Sequence, residues 1–281
     1  MKEKRFCISP FACQVNEIKF LKRKTRSVQS EQWIFGLNPV LEALKSGRKI
    51  TTVYVSSGRH ERMSEISKAA ETRGVPVEFP DAAFFDARFP KGHQGVAARA
   101  AQRAYISLDD LIAIPSKKKE IPLFILLDSI EDPRNFGAIL RTADAAGVHG
   151  VVIQSHRSVT LGPDVAKTSA GAVEYVPVSM VANIKHAMRE MKERGIMIMA
   201  AESGVHAPIW GVDLTQPLAV VMGSEGKGIR RTVKENCDFV GSIPMRGQIN
   251  SLNVSVAAGI FLFEIVRQRY GKFSGTSRLE R

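Results

Sequence analysis

Three short segments in the second half of the chain are apolar without alternation: LFILLD at 123–128, IMIMAA at 196–201 and LAVVMG at 218–223. A strand with one face in water alternates apolar and polar residues. These three do not, so both of their faces must be covered. Between and around them lie helical segments, one running to Gly147 and one over 181–194 closed by Gly195. VVIQ at 151–154 and FVGSIP at 239–244 read as further strands, and 252–270 as the last helix. Strand alternating with helix predicts an α/β fold, with a mostly parallel sheet and helices on both faces.

A smaller α/β unit precedes this one, over 33–105. Asn38 and Pro39 read as a helix start and Gly47 as its end. TVYVS at 52–56 reads as a strand, 61–73 as a helix, and 75–79 and 95–101 as strands. Residues 106–121 change character: Pro115 interrupts them, and Lys117, Lys118 and Lys119 follow. They read as a linker with a solvated charge run. The second domain then occupies 122–271, with a tail at 272–281.

The formal net charge is +12 over 281 residues, which points to a polyanionic partner. Nucleic acid is the first candidate and an anionic membrane surface the second. Residues 1–32 read as a flexible basic arm, because 1–26 hold eight Lys and Arg against two Glu. The longest apolar run, 256–263, is far too short to cross a bilayer. Cys7, Cys13 and Cys237 form no C-x-x-C pair. They imply a reduced, cytoplasmic protein without a metal site.

Ligands of parallel sheets bind at the C-terminal ends of the strands. Three loops there carry polar content beyond the needs of a turn. In 128–147, Asp132 and Pro133 read as cap and first helical residue, followed by Asn135, Gly137 and Arg141. An arginine beside an apolar sheet needs an anion, which either Asp144 or a ligand would supply. In 223–229, GSEGKGI, the glycines permit close approach of the backbone to a ligand. This loop matches neither the dinucleotide fingerprint nor the Walker A pattern, and Glu225 would repel a phosphate. In 243–259, Asn250, Ser251 and Asn253 crowd the head of an apolar helix, where one cap would suffice for structure.

Together these loops resemble the SpoU family, the TrmH-type RNA 2′-O-ribose methyltransferases of the trefoil-knotted SPOUT superfamily. The first is similar to D-P-x-N-x-G-x-x-x-R-S/T-A, met by Asp132, Pro133, Asn135, Gly137, Arg141, Thr142 and Ala143. The second is similar to G-x-E-x-x-G, met by Gly223, Glu225 and Gly228, with Gly226 as an extra glycine. The third is similar to I-P-M-x-G-x-x-x-S-L-N-V-S-x-A, from Ile243 to Ala257. FGLNPVLEAL at 35–44 and GHQGVAA at 92–98 resemble the small ribosomal-protein-like substrate-binding domain of one branch. That branch methylates a guanosine of large-subunit ribosomal RNA.

The resemblance implies S-adenosylmethionine as donor, bound in a deep knot, with Gly223, Ile243, Leu252, Met245 and Gly247 against it. It implies catalytic roles for Arg141, Asn135, Glu225, Ser251 and Asn253. Arg141 is either the base for the 2′-hydroxyl or the group that orients a phosphate, and guanidinium chemistry leaves both roles open. Transfer RNA is the alternative substrate, and a non-catalytic RNA-binding or assembly protein the alternative from another class. A homodimer is implied through the knot region, with the last helix as a candidate surface and burial within one chain as the alternative. His93 and Gln94 fit a turn as well as an RNA contact.

Removal of residues 1–30 is expected to weaken RNA binding and to flatten its dependence on salt, as the loss of phosphate-neutralising charges requires. Fluorescence anisotropy at several ionic strengths measures both, and unchanged affinity at low salt would make the arm irrelevant.

Overall fold

The computed structural model describes residues 31–57 and 61–271. The basic arm up to residue 30, Cys7, Cys13 and the tail from 272 lie outside the described residues.

The N-terminal unit contains β1 (Glu31–Phe35), α1 (Leu37–Lys45), β2 (Ile50–Val55), α2 (Glu61–Thr72), β3 (Val77–Glu78), α3 (Ala82–Asp86) and β4 (Val96–Ala101). Its sheet order is β1-β4-β2-β3. The first strand begins at Glu31, so residues 31 and 32 belong to the sheet and not to the arm. Helix α1 starts before Asn38, with Gly36 at its cap position. No side chain of its own segment caps it; the Gln94 Oε1 accepts the Leu37 N–H at 3.2 Å instead. His93 Nδ1 accepts the Gly95 N–H at 3.0 Å. Gln94 thus caps α1, and His93 supports the turn before β4.

Residues 106–121 are more than a connector. They form α4 (Leu108–Ile112) and α5 (Ile114–Lys118). Ser107 caps α4. Leu111 and Ile112 are buried in the core of the second domain, and Ile106 bridges Ser179 at the sheet edge. Lys117, Lys118 and Lys119 are exposed, as a solvated run would be.

The C-terminal unit runs β5 (Leu123–Asp128), α6 (Pro133–Ala145), β6 (Gly150–Gln154), α7 (Pro163–Thr168), β7 (Val178–Val181), α8 (Ile184–Glu193), β8 (Met197–Ala201), β9 (Leu218–Gly223), α9 (Arg231–Lys234), β10 (Phe239–Gly241) and α10 (Val254–Tyr270). The six strands are all parallel, in the order β10-β8-β9-β5-β6-β7. All six residues of β5 are buried. Leu123, Ile125 and Leu127 face α6 and α10, while Phe124 and Leu126 face α8. That double coverage is why the strands carry no alternation.

Three expected boundaries shift. The segment from 181 gives Val181 to β7 and starts α8 after Asn183, whose side chain accepts the Lys185 N–H. Strand β10 ends at Gly241. Residues 242–253 are extended loop, and α10 begins at Val254 rather than 252. The short α3, α7 and α9 carry too few turns to announce themselves by periodicity.

The two units share one continuous apolar core. Where they meet, Arg48 Nη1 and Glu174 Oε1 lie 2.6 Å apart with both side chains almost fully buried. Arg48 Nε also donates to the Ala101 carbonyl at 2.8 Å. Tyr175 donates to Glu42 at 2.7 Å, and burial together with that carboxylate pushes its phenol up to about 12. Loss of one member of a buried pair such as Arg48–Glu174 costs about 3–5 kcal/mol.

His149, also buried, joins the start of β6 to β5. Its Nδ1 accepts the Leu123 N–H at 3.1 Å, so the proton sits on Nε2, 3.0 Å from Glu120. Burial lowers its pKa, with Glu120 opposing. The unfolded chain then binds this proton at a higher pH than the folded one. Stability from this group is complete above about pH 6.5 and is lost as pH falls toward the depressed folded value. Urea unfolding between pH 7 and 5 should show a shallower pH slope in His149→Gln, by up to about 1.4 kcal/mol per pH unit in that window. Equal slopes in the two proteins would remove His149 from the pH response.

Candidate active site

Three of the central strands run into a polar group after an apolar run, Asp128 on β5, Gln154 on β6 and Glu202 after β8, and β9 ends at Gly223. Asp128 has no exposed surface. Its carboxylate accepts the Arg230 backbone N–H at 2.8 Å and Arg230 Nε at 2.7 Å. The same guanidinium donates to Gln154 Oε1. Arg230 thus ties the loop after β9 to the ends of β5 and β6. The loop itself is closed by a Gly228 N–H to Ser224 carbonyl bond of 2.8 Å. Gly223 lies under that closure. A Cβ there would stand 2.2 Å from the Gly228 carbonyl carbon and 2.3 Å from the Ile229 nitrogen.

Beside this loop opens a cavity of about 470 Å³, a size usual for small-molecule sites. Ile243, Met245, Leu252 and Phe261 give it apolar walls, and Gly223, Gly226 and Gly228 leave backbone at its surface. Its charged lining residues are Glu202 and Glu225, with no Lys or Arg. Glu202 Oε2 lies 3.2 Å from Lys234 Nζ but makes no hydrogen bond. Such a lining disfavours a phosphate and suits a cationic ligand with an apolar, hydrogen-bonding body.

At the rim three side chains from three loops meet. Asn253 Oδ1 caps α10, accepting from the Ser255 N–H at 3.0 Å and the Ser255 hydroxyl at 2.6 Å. Its Nδ2 donates to Asn135 Oδ1 at 3.0 Å and to Glu225 Oε1. Asn135 Nδ2 donates to the same Glu225 oxygen at 3.1 Å. Asp132 caps α6 through the Arg134 N–H at 2.9 Å and so sets where Asn135 stands on the first turn. A second cavity, of about 550 Å³, lies on the far side of the triangle. Ser224, Glu225, Gly228 and Val254 line both.

Of the ten site residues named from sequence, the structure brings eight together. Gly223, Glu225, Ile243, Met245, Ser251, Leu252 and Asn253 line the first cavity, and Asn135 joins them by hydrogen bond. Gly247 lines neither cavity. Arg141 also stands apart. It is exposed on α6, two turns below the rim, and lines neither cavity. No ion pair joins it to Asp144 or to any other described residue. Gly259 on α10 packs beside its neighbour Thr142. Sequence reading missed Glu202, Gln154 and Arg230, and passed over Asp128 at the head of the first loop. The first polar residue after each apolar strand was a usable signal for Asp128, Gln154 and Glu202.

Residues 122–263 match the SpoU rRNA methylase family, and residues 33–106 match the RNA 2′-O ribose methyltransferase substrate-binding domain. This chain belongs to the SpoU family. It is 41% identical over 242 residues to YacO of Bacillus subtilis (strain 168), named as a TrmH family tRNA/rRNA methyltransferase, covering 86% of this chain and 97% of YacO. A relative of the same family name from Staphylococcus haemolyticus (strain JCSC1435) is 40% identical, covering 84% and 96%. Among solved structures, the SpoU methyltransferase AviRb from Streptomyces viridochromogenes in complex with AdoMet superposes with a TM-score of 0.73 at 26% identity, covering 89% of this chain and 94% of that one. The AdoMet-bound rRNA methyltransferase from Sinorhizobium meliloti gives 0.69 at 26% identity, covering 84% and 87%. S-adenosylmethionine is the cofactor of this SpoU protein, and the carboxylate-lined, cation-free cavity fits its sulfonium and ammonium charges.

The two glycines named from sequence should behave oppositely. Gly247→Ala meets no atom closer than 4.0 Å and should leave S-adenosylmethionine affinity within about twofold, since open surface changes cost little. Gly223→Ala should abolish binding, because backbone must move to admit the Cβ. Titration calorimetry reads both, and full binding by Gly223→Ala would separate the loop from the cofactor site.

Proposed function

We propose that the protein methylates a ribose 2′-hydroxyl of RNA, with a guanosine of large-subunit ribosomal RNA as target and the cytoplasm as its place of action. The observation that carries this is the triangle of Asn135, Glu225 and Asn253, between a cavity suited to a cationic donor and one lined by both cations and carboxylates. When bound, the donor would supply an electrophilic methyl group to the ribose oxygen and leave as the neutral thioether, while the hydroxyl proton passes to solvent. Gly223, Ile243, Met245 and Leu252 would hold the donor, with Gly247 outside the contact set. Asn135, Glu225 and Asn253 would hold the ribose edge in line with the methyl, where positioning supplies most of the rate. Ser251, on the cavity wall, would order the same edge. Transfer RNA is the competing substrate, since the named relatives are tRNA/rRNA methyltransferases. The substrate-binding match over 33–106 fits either RNA. The deep knot belongs to the same reading. The chain leaves edge strand β10 and returns through 242–253 to stack α10 on α6.

Arg141 takes its place through a second copy of the chain. Val256 and Phe263, about half exposed, form an apolar stripe along α10, with Leu252 in the loop just before it. Arg141 lies on the adjacent exposed face of α6. A homodimer through this two-helix surface would carry Arg141 of each copy to the rim of the other's cavity. There its charge would orient an RNA phosphate and stabilise the forming alkoxide.

The test is methyl transfer from labelled S-adenosylmethionine to unmodified ribosomal and transfer RNA, with the methyl position mapped. Arg141→Ala should keep cofactor affinity and lose at least about 100-fold in turnover. Mixed with inactive Glu225→Ala, it should regain activity in heterodimers. Label transfer to neither RNA with cofactor bound would favour the non-catalytic alternative, and failure of the mixture to regain activity would return Arg141 to its own chain's site.

A further inference from the structure

The second cavity carries charges that nothing in the fold consumes. Arg157 and Lys227 line it, and neither has an ion-pair or hydrogen-bond partner among the described residues. Arg230, which also lines it, is spent on Asp128. Glu131 lines it unpaired as well, whereas Asp132 is spent on capping α6. The Val159 N–H to Ile130 carbonyl bond of 3.1 Å holds the loop of Arg157 against that of Glu131. Each loop contains a non-glycine residue in left-handed backbone, Ser129 at φ 63° and Arg157 at φ 55°. Such strain costs about 1–3 kcal/mol and survives where the surroundings dictate it, often at ligand sites.

A simple anion would be attracted by the two cations and repelled by Glu131. The lining suits a ligand that is anionic at one end and presents N–H donors at the other. Among nucleotides, only guanine offers two adjacent parallel donors, N1–H and N2–H, to the two oxygens of a carboxylate. Adenine and cytosine place a ring acceptor beside their amino group, and uracil flanks its N3–H with carbonyls. Each would turn a lone pair toward Glu131.

We propose that this cavity receives the target nucleotide, with Glu131 reading the guanine N1–H and N2–H and with Arg157 and Lys227 holding the neighbouring phosphates. The inference rests on the methyltransferase reading above and gives its substrate pocket a chemical identity. The base must leave its stack to enter, as in other enzymes that read an extruded nucleotide on its Watson–Crick edge. Its ribose then lies at the Asn135–Glu225–Asn253 wall, with the methyl donor across it. Glu225, shared by both cavities, is the point of contact between donor site and base site.

The test uses the full chain, labelled S-adenosylmethionine, the RNA mapped above and the same RNA with inosine at the target. Inosine keeps N1–H and lacks the 2-amino group. The wild type should lose about tenfold in kcat/KM on inosine, as expected for one lost contact to a base edge. Glu131→Ala should lose about 10- to 100-fold on guanosine, keep its cofactor affinity, and no longer distinguish the two RNAs. Glu131→Gln, which keeps one acceptor, should fall between. Arg157→Ala and Lys227→Ala should each lower the slope of log Kd against log salt by about one and leave the guanosine preference intact. Absence of transfer by the wild type to any RNA would overturn the functional reading itself. With transfer intact, a methyl mapped to another base, or a Glu131→Ala protein that still prefers guanosine, would overturn this inference alone.

Discussion

Asp128 ends the central strand without exposed surface, and the site is arranged around keeping its charge paired. An uncompensated carboxylate in such a place costs several kcal/mol. Here a single guanidinium from Arg230 answers it, and the backbone N–H of the same residue adds a second bond. Because Arg230 also reaches Gln154, one side chain fixes the loop after β9 to the ends of β5 and β6. The position of Glu225 follows from that anchor, and the triangle with Asn135 and Asn253 follows from Glu225. A sheet buried on both faces has nowhere else to carry polarity. Its strand ends must therefore both satisfy one another and do the chemistry.

The two cavities divide the ligand by charge. The cofactor side has carboxylates and no cation. The other side has Arg157, Lys227 and Arg230 beside Glu131, Asp132 and Glu225. A polyanionic acceptor is therefore disfavoured in the donor's place, while the mixed lining of the other cavity suits a ligand anionic at one end and hydrogen-bond-donating at the other. Glu225 belongs to both linings, and its oxygen accepts from two amides at once. That leaves the amides little freedom to turn, which is how a rim built of exposed side chains can hold a fixed geometry.

Much of this was legible in the sequence, for reasons that differ by residue. Strands such as 123–128 announce double coverage by their lack of alternation, and Asp132 with Pro133 announces a helix start by cap chemistry. Asn253 was marked as one polar group too many for a cap, and it does two jobs: its oxygen caps α10 and its nitrogen binds across loops. What escaped were contacts between distant segments with no local pattern. The Arg48–Glu174 pair joins residues 126 apart, and it makes the substrate-binding unit part of one core with the methyltransferase unit. Helices α4 and α5 were hidden because Pro115 and three lysines look like a connector, while Leu111 and Ile112 at the end of α4 are core. Arg141 was expected in the same pocket as Asn253 and stands apart from it, because a linear motif says nothing about which face of a helix meets a cavity.

Helix α10 shows why that last point matters physically. Its head supplies Asn253 to the rim, and Val254, Ala257 and Phe261 to the cavity wall. Another face packs on α6 through Ala258 and its neighbours. Its remaining stripe leaves Val256 and Phe263 about half in water, which forgoes about half of the roughly 1.5–3 kcal/mol that full burial of each would contribute. A dimer that covers this stripe would bury it beside Arg141, an exposed cation without an ion-pair partner among the described residues. The same contact that removes the apolar surface would then also complete the site, so that assembly and activity depend on one helix.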